Sequence, residues 1–167
     1  MRDFPVLELL RDELSWLDGT LLAAMRAWVL GCKRGVPADL PIQMIFANLR
    51  TPEAIGHLDR FMRALSQGCT RMIEIYCTCE PVLSSDEVLL LDAFAMMQEG
   101  MHDAATALLR TFASSEAAHA ASGNALAIVQ VLNDAGHTIA RGPAAVERQA
   151  RSSDERFANI AKSKRLH

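Results

Sequence analysis

Three stretches of this chain carry apolar side chains at alternating spacings of three and four residues, and that rhythm restricts the fold more than any other feature. The first set is Leu7, Leu10, Leu14, Leu17, Leu21, Ala24 and Trp28, and the second is Ile55, Leu58, Met62, Leu65, Cys69, Met72 and Tyr76. The third is Ala118, Ala121, Ala125, Ile128, Leu132 and Ala135. An α-helix turns once in about 3.6 residues, so each set lies on one helix face that must be buried against a neighbour. Half of the 167 residues are hydrophobic but only 5% are aromatic, and Ala and Leu dominate. Such side chains lose little rotamer freedom in a helix. The expected fold is all-α: a single-domain antiparallel bundle of five to six helices over residues 1–140, with a basic, partly helical or flexible tail over residues 141–167.

The punctuation between the seams places the elements. A first helix is expected from about Val6 to Lys33, carried in phase across Gly19, with Val6, Leu22, Met25 and Val29 widening its stripe. Gly35 and Pro37 break the chain, and Asp39 can cap a short connector from Leu40 to Leu49 with Ile42, Ile45, Phe46 and Leu49 inward. Thr51 reads as an N-cap with Pro52 in the first turn, opening a second long helix through Tyr76. After "CTCEP", Ser84 or Ser85 caps a helix whose segment Val88 to Met97 is apolar nearly all round. That helix belongs at the centre, with Asp92 at an edge. Gly100 marks a turn to a return helix, Met101 to Ala113, with Ala104, Ala105, Leu108, Leu109 and Phe112 inward. Ser114 or Ser115 opens the last long helix, which Gly136 stops in the left-handed conformation, and its alanines imply close approach to a partner.

Charge is divided unevenly. Residues 1–140 hold 10 basic and 17 acidic side chains, net −7, and residues 141–167 hold 7 basic and 3 acidic, net +4. A cationic end can dock on nucleic acid, but this one has Phe157 as its single aromatic for stacking on bases, and nucleic acid is not the expected partner. Acids interrupt the first fifteen residues, which argues against a secretory signal. The apolar run Thr20 to Cys32 is too short for a bilayer span of about 20 residues and contains Arg26. A cytoplasmic protein with reduced thiols and no membrane partner is expected.

Two Glu-x-x-His matches, Glu99 to His102 and Glu116 to His119, resemble half of the ligand set of a helical di-iron centre. Their placement opposes that chemistry: the first straddles Gly100, the second lies off its seam, and Glu74 sits two positions past Met72 on its own helix. Surface positions are expected for all of them. His57 reads as polar-face and His137 as following a helix stop. No phosphate loop or nucleophile elbow is present, and the helix after Gly100 lacks the basic and amide side chains a DNA-reading helix requires. No catalytic residue is assigned, and an enzyme is not expected.

The four cysteines remain. Cys69 falls on a seam and reads as a small buried hydrophobe, and Cys32 ends the first helix. Cys77 and Cys79 share a bend before Pro81, where alternate side chains of an extended segment face the same way. Three readings stand together: a structural bend, a redox pair, or a metal site completed by Cys69, a histidine or a second subunit, with zinc as the candidate ion. The functional expectation is a non-catalytic helical adaptor or regulatory protein that associates with other proteins and with itself as a homodimer. A metal-binding or thiol-redox sensor using Cys77 and Cys79 is the alternative. Eight methionines, Met96, Met97 and Met101 among them, suit an adaptable apolar groove.

Overall fold

The computed structural model describes residues 9–36 and 39–139. The expected tail from residue 141 and the first positions of the expected first helix, Val6 and Leu7, lie outside the described residues. Within them the protein is an all-helical bundle: α1 (Trp16–Arg34), α2 (Asp39–Asn48), α3 (Ala54–Gly68), α4 (Ser85–Gln98), α5 (His102–Leu109) and α6 (Ser115–Asp134). No β-strand occurs among the described residues, only two isolated antiparallel bridges, Leu10 with Val82 and Cys69 with Ala113. No helix there is long and apolar enough to cross a membrane.

The helix pair α3 and α6 forms the most extensive interhelical contact, and α4 packs on α5, α6 and α1. The seam of α6 behaves as its spacing predicts through Leu132: Ala118, Ala121, Ala125, Ile128 and Leu132 are fully buried, whereas Ala135, past the helix end, is exposed. Its alanines bring α3 so close that a Cβ placed on Gly68 would collide with the Cβ of Ala117. Ser114 caps α6 by accepting from the N–H of Ala117, and Gly136 closes the end with φ of +80°. In α4, Ser84 and Glu87 form a reciprocal capping box, and nearly every residue from Leu90 to Met97 is buried. Phe61 of α3 and Phe94 of α4 meet in the core with ring centroids 4.9 Å apart.

Several expectations fail, each for a tertiary reason. The first helix begins at Trp16 rather than near Val6, because Ser15 caps it by accepting from the N–H of Asp18. Ahead of it, Leu9 and Leu10 run extended against residues 81–83 and lead into a single 3-10 turn, Arg11–Glu13, with the Leu83 N–H donating to Leu9 O at 3.0 Å and the Arg11 N–H to Pro81 O at 2.7 Å. Leu10, on the expected seam, is exposed. The second seam stops at Gly68, eight residues before Tyr76, so Cys69 is exposed rather than buried and Met72 is 89% exposed. Beyond Gly68 the backbone finds partners on other elements: the Thr70 N–H on Phe112 O, the Glu74 N–H on Asp86 and the Tyr76 N–H on Glu87. Those bonds replace the ones a continued helix would make.

Thr51 does not cap α3. It is buried with its hydroxyl unpartnered, and its carbonyl accepts from Ala54 in the turn that opens the helix. Asp92 is buried rather than at an edge. The return helix is shorter than expected, ending at Leu109, and Ala104 faces outward while Ala105, Leu109 and Phe112 face the core.

Candidate functional site

The segment from Cys69 to Ser84, neither helix nor strand, crosses one end of the bundle as a strap. Two arginines staple it down, each through one of the adjacent carboxylates in the first turn of α4. Arg71, within the strap, grips Asp86 with both guanidinium nitrogens at 2.9 and 2.7 Å, donates to Thr111 O and lies over the ring of Phe112, 4.7 Å from its centroid. Those hydrogen bonds, helped by the N–H of Glu74, hold the Asp86 carboxyl below its ordinary range against the opposing effect of burial.

Arg26, in the middle of α1, is 1% exposed, and its partner Glu87 is wholly buried. All five guanidinium N–H groups are used. Nε and Nη2 meet the Glu87 carboxylate at 2.7 and 2.9 Å. The rest meet strap carbonyls: Nη1 donates to Cys77 O and Glu80 O, at 3.1 and 2.6 Å, and Nη2 to Val82 O at 2.8 Å. Glu87 in turn accepts from the N–H groups of Tyr76 and Ser84. A charge pair removed from water is stable only when its remaining donors and acceptors are filled, and this one meets that condition.

"CTCEP" is therefore a turn draped over a buried guanidinium. The Glu80 N–H donates to Cys77 O at 3.1 Å, and Arg11 reaches in from the 3-10 turn before α1 to donate to Thr78 O at 3.2 Å. Both thiols are exposed and free, with Cys77 Sγ and Cys79 Sγ in contact at 2.7 Å. The Cys79 thiol hydrogen-bonded to it, and then the N–H groups of Cys79 and Glu80, pull the Cys77 thiol down in pKa, while the Glu80 charge opposes them. Cys79 is pushed up, first by the hydrogen bond and then by the charge of Cys77.

Cys69 stands apart from this pair. It donates to Ser66 O and lines an apolar groove of about 570 Å³ between α1, α3 and the strap, together with Cys32, Trp28, Met62, Ile73 and Leu90. Among the described residues no group of three or more His, Cys, Asp and Glu side chains is placed to hold a metal ion.

The carboxylates and imidazoles that resembled a di-iron set are all exposed. His102 and His119 line one groove between α5 and α6, and Glu116 lines another between α3 and α6. His137 donates from Nε2 to Leu49 O, 2.8 Å away, and its ring sits beside Trp16. Of the methionines read as groove formers, Met97 is buried and Met101 exposed.

Sequence reasoning missed Arg26, Glu87, Arg71 and Asp86. A signal for the first was present: an arginine inside the apolar run Thr20 to Cys32, in line with Leu22 and Val29 that widen the apolar stripe, is drawn into the interior and so requires an acid elsewhere. The strap was legible too, since half-buried Ile73 and Ile75 alternate with exposed Met72 and Glu74, a period of two rather than 3.6. Comparison with protein-family models, curated proteins and solved structures finds no match to this chain.

Proposed function

We propose that this chain is a non-catalytic helical adaptor that acts by protein–protein association, with a second copy of itself on the outer face of α2. The supporting observation is that α2 is apolar on both sides. Ile42 and Phe46 enter the core, whereas Leu40 and Met44, one turn apart, are 67% and 59% exposed. Ala47, a further turn along, is also exposed. Asp39, at the first position, is the sole charged residue of the helix.

A helix apolar all round is ordinarily covered on both sides, and a cluster of large exposed apolar side chains is the usual mark of an association surface. An uncharged face can pack on its own copy about a twofold axis without opposing like charges. Glu116 lines a different groove from His102 and His119, an arrangement that also favours association over metal-assisted chemistry at these residues.

Sedimentation velocity over a range of protein concentrations tests the proposal. The expected result is a concentration-dependent dimer that Met44→Glu weakens at least about tenfold, equivalent to ~1.4 kcal/mol, with no loss of thermal stability because Met44 contributes little to the core. A monomer at every concentration would overturn it.

A further inference from the structure

We propose that Cys77 and Cys79 form a reversible dithiol–disulfide site that exchanges with small-molecule disulfides, Cys77 attacking and Cys79 resolving. The inference is independent of the association surface on α2. Its basis is the way the turn is held. Cysteines separated by one residue in a loose segment sample many sulfur–sulfur separations, but here the carbonyls of Cys77, Glu80 and Val82 are fixed by Arg26 and that of Thr78 by Arg11. The fixed backbone keeps the two sulfurs in contact at 2.7 Å while both remain open to solvent. Holding reacting atoms at contact distance is what turns a slow encounter between two thiols into a fast intramolecular step.

The surroundings divide the roles. Either thiol can donate to the other, and what sets Cys77 apart is the N–H groups of Cys79 and Glu80, which favour its thiolate against the opposing Glu80 charge. The thiolate is the nucleophile in disulfide exchange. Cys77 Sγ attacks one sulfur of a disulfide RSSR, forming a Cys77–S–S–R bond and expelling RS⁻, which takes up a proton from solvent. The negative charge on Cys77 is then gone, and with it the hydrogen bond and charge that had discouraged ionisation of Cys79. Cys79 loses its proton to solvent and attacks Cys77 Sγ, expelling the second RS⁻ as the internal disulfide forms. The two cysteines lose two electrons and two protons, and RSSR gains both to become two RSH. Cys32 and Cys69 are also exposed, but neither has a sulfur in contact, so each is expected to stop at the mixed disulfide.

The test uses the full chain carrying Cys32→Ser and Cys69→Ser, equilibrated with glutathione and glutathione disulfide at graded ratios, quenched with acid and weighed intact. The expected product has lost two hydrogens and carries no glutathione. In the same background Cys79→Ser is expected to hold one glutathione on Cys77. Cys77→Ser is expected to react measurably more slowly at neutral pH, since Cys79 has only its own N–H in reach whereas Cys77 has the N–H groups of both Cys79 and Glu80. A parent protein that accumulates glutathione on both cysteines, links to a second copy, or stays reduced in the most oxidising buffer overturns the site. Equal trapping rates in the two single variants overturn the assignment of roles. Circular dichroism of each variant establishes that the comparison is made on folded protein, and because the readout is the mass of one chain, a failure of dimerisation leaves it unaffected.

Discussion

Arg26 illustrates how one side chain can carry several distant constraints. Its guanidinium joins α1 to α4 through Glu87 and holds three carbonyls of the strap. Replacing it by Met leaves the buried Glu87 carboxylate with only the Tyr76 and Ser84 N–H donors and takes the donor from three part-buried carbonyls. The expected cost is about 3–5 kcal/mol, read from urea denaturation, with Arg26→Met/Glu87→Leu recovering only part because the carbonyls stay unpaired. Arg50 makes the opposite case. It occupies the left-handed region with φ of +57°, closing α2 as the Thr51 N–H bonds back to Phe46 O. A side chain with a Cβ is disfavoured there, so Arg50→Gly is expected to raise stability by about 1 kcal/mol in the same assay. Asp86 supplies a pH dependence. Its pKa is depressed in the folded protein, chiefly by the Arg71 hydrogen bonds. The pair therefore contributes fully above the unfolded carboxylate value of about 3.9 and loses that contribution as pH falls through the lower, folded value. Melting temperatures of the parent and Asp86→Asn, apart at neutral pH, are expected to converge below about pH 4.

At the scale of elements, α6 and α4 followed their sequences closely and α3 did not. The α6 seam is buried from Ala118 to Leu132, where α3 and α4 pack against it, and fails only at Ala135, exposed beyond the end of the helix. Gly68 sits where α3 passes Ala117 at a separation that admits no methyl group. Gly68→Ala is thus expected to cost about 1–3 kcal/mol by overpacking, and a second change, Ala117→Gly, is expected to return part of it in a double-mutant cycle. The seam of α3 continues in the sequence through Cys69, Met72 and Tyr76, yet the helix ends at Gly68. Apolar spacing specifies a face only while the chain remains helical, and it says nothing of competing partners. Here Phe112 O, Asp86 and Glu87 offered the backbone of residues 70–76 bonds that a helix could not also make.

In the whole molecule the strap is the feature that joins chemistry to architecture. It runs over the end of the bundle, closes one side of the apolar groove and presents the C-x-C turn to solvent on a backbone anchored from below. Two surfaces are left with unused capacity: the outer face of α2, where association is proposed, and the sulfur pair, where thiol exchange is proposed. They lie on different elements, so a variant at Met44 is expected to change the oligomeric state without altering the products of thiol exchange, and one at Cys79 the reverse. Measuring both properties on both variants checks that independence.

What the amino-acid order determined alone was local: helix content, a serine cap at residue 84 or 85 and at 114 or 115, the glycine stop at residue 136, and which face of α6 is buried. Each follows from groups within a few positions of one another, whose geometry the backbone dictates. The strap, the stop at Gly68 and the buried pair of Arg26 with Glu87, 61 positions apart, were decided by the tertiary structure. A charge in an apolar helix announces that a counter-charge is required but not where it is. Only packing α1 against the first turn of α4 brings the two together, and the thiol turn takes its shape from that meeting.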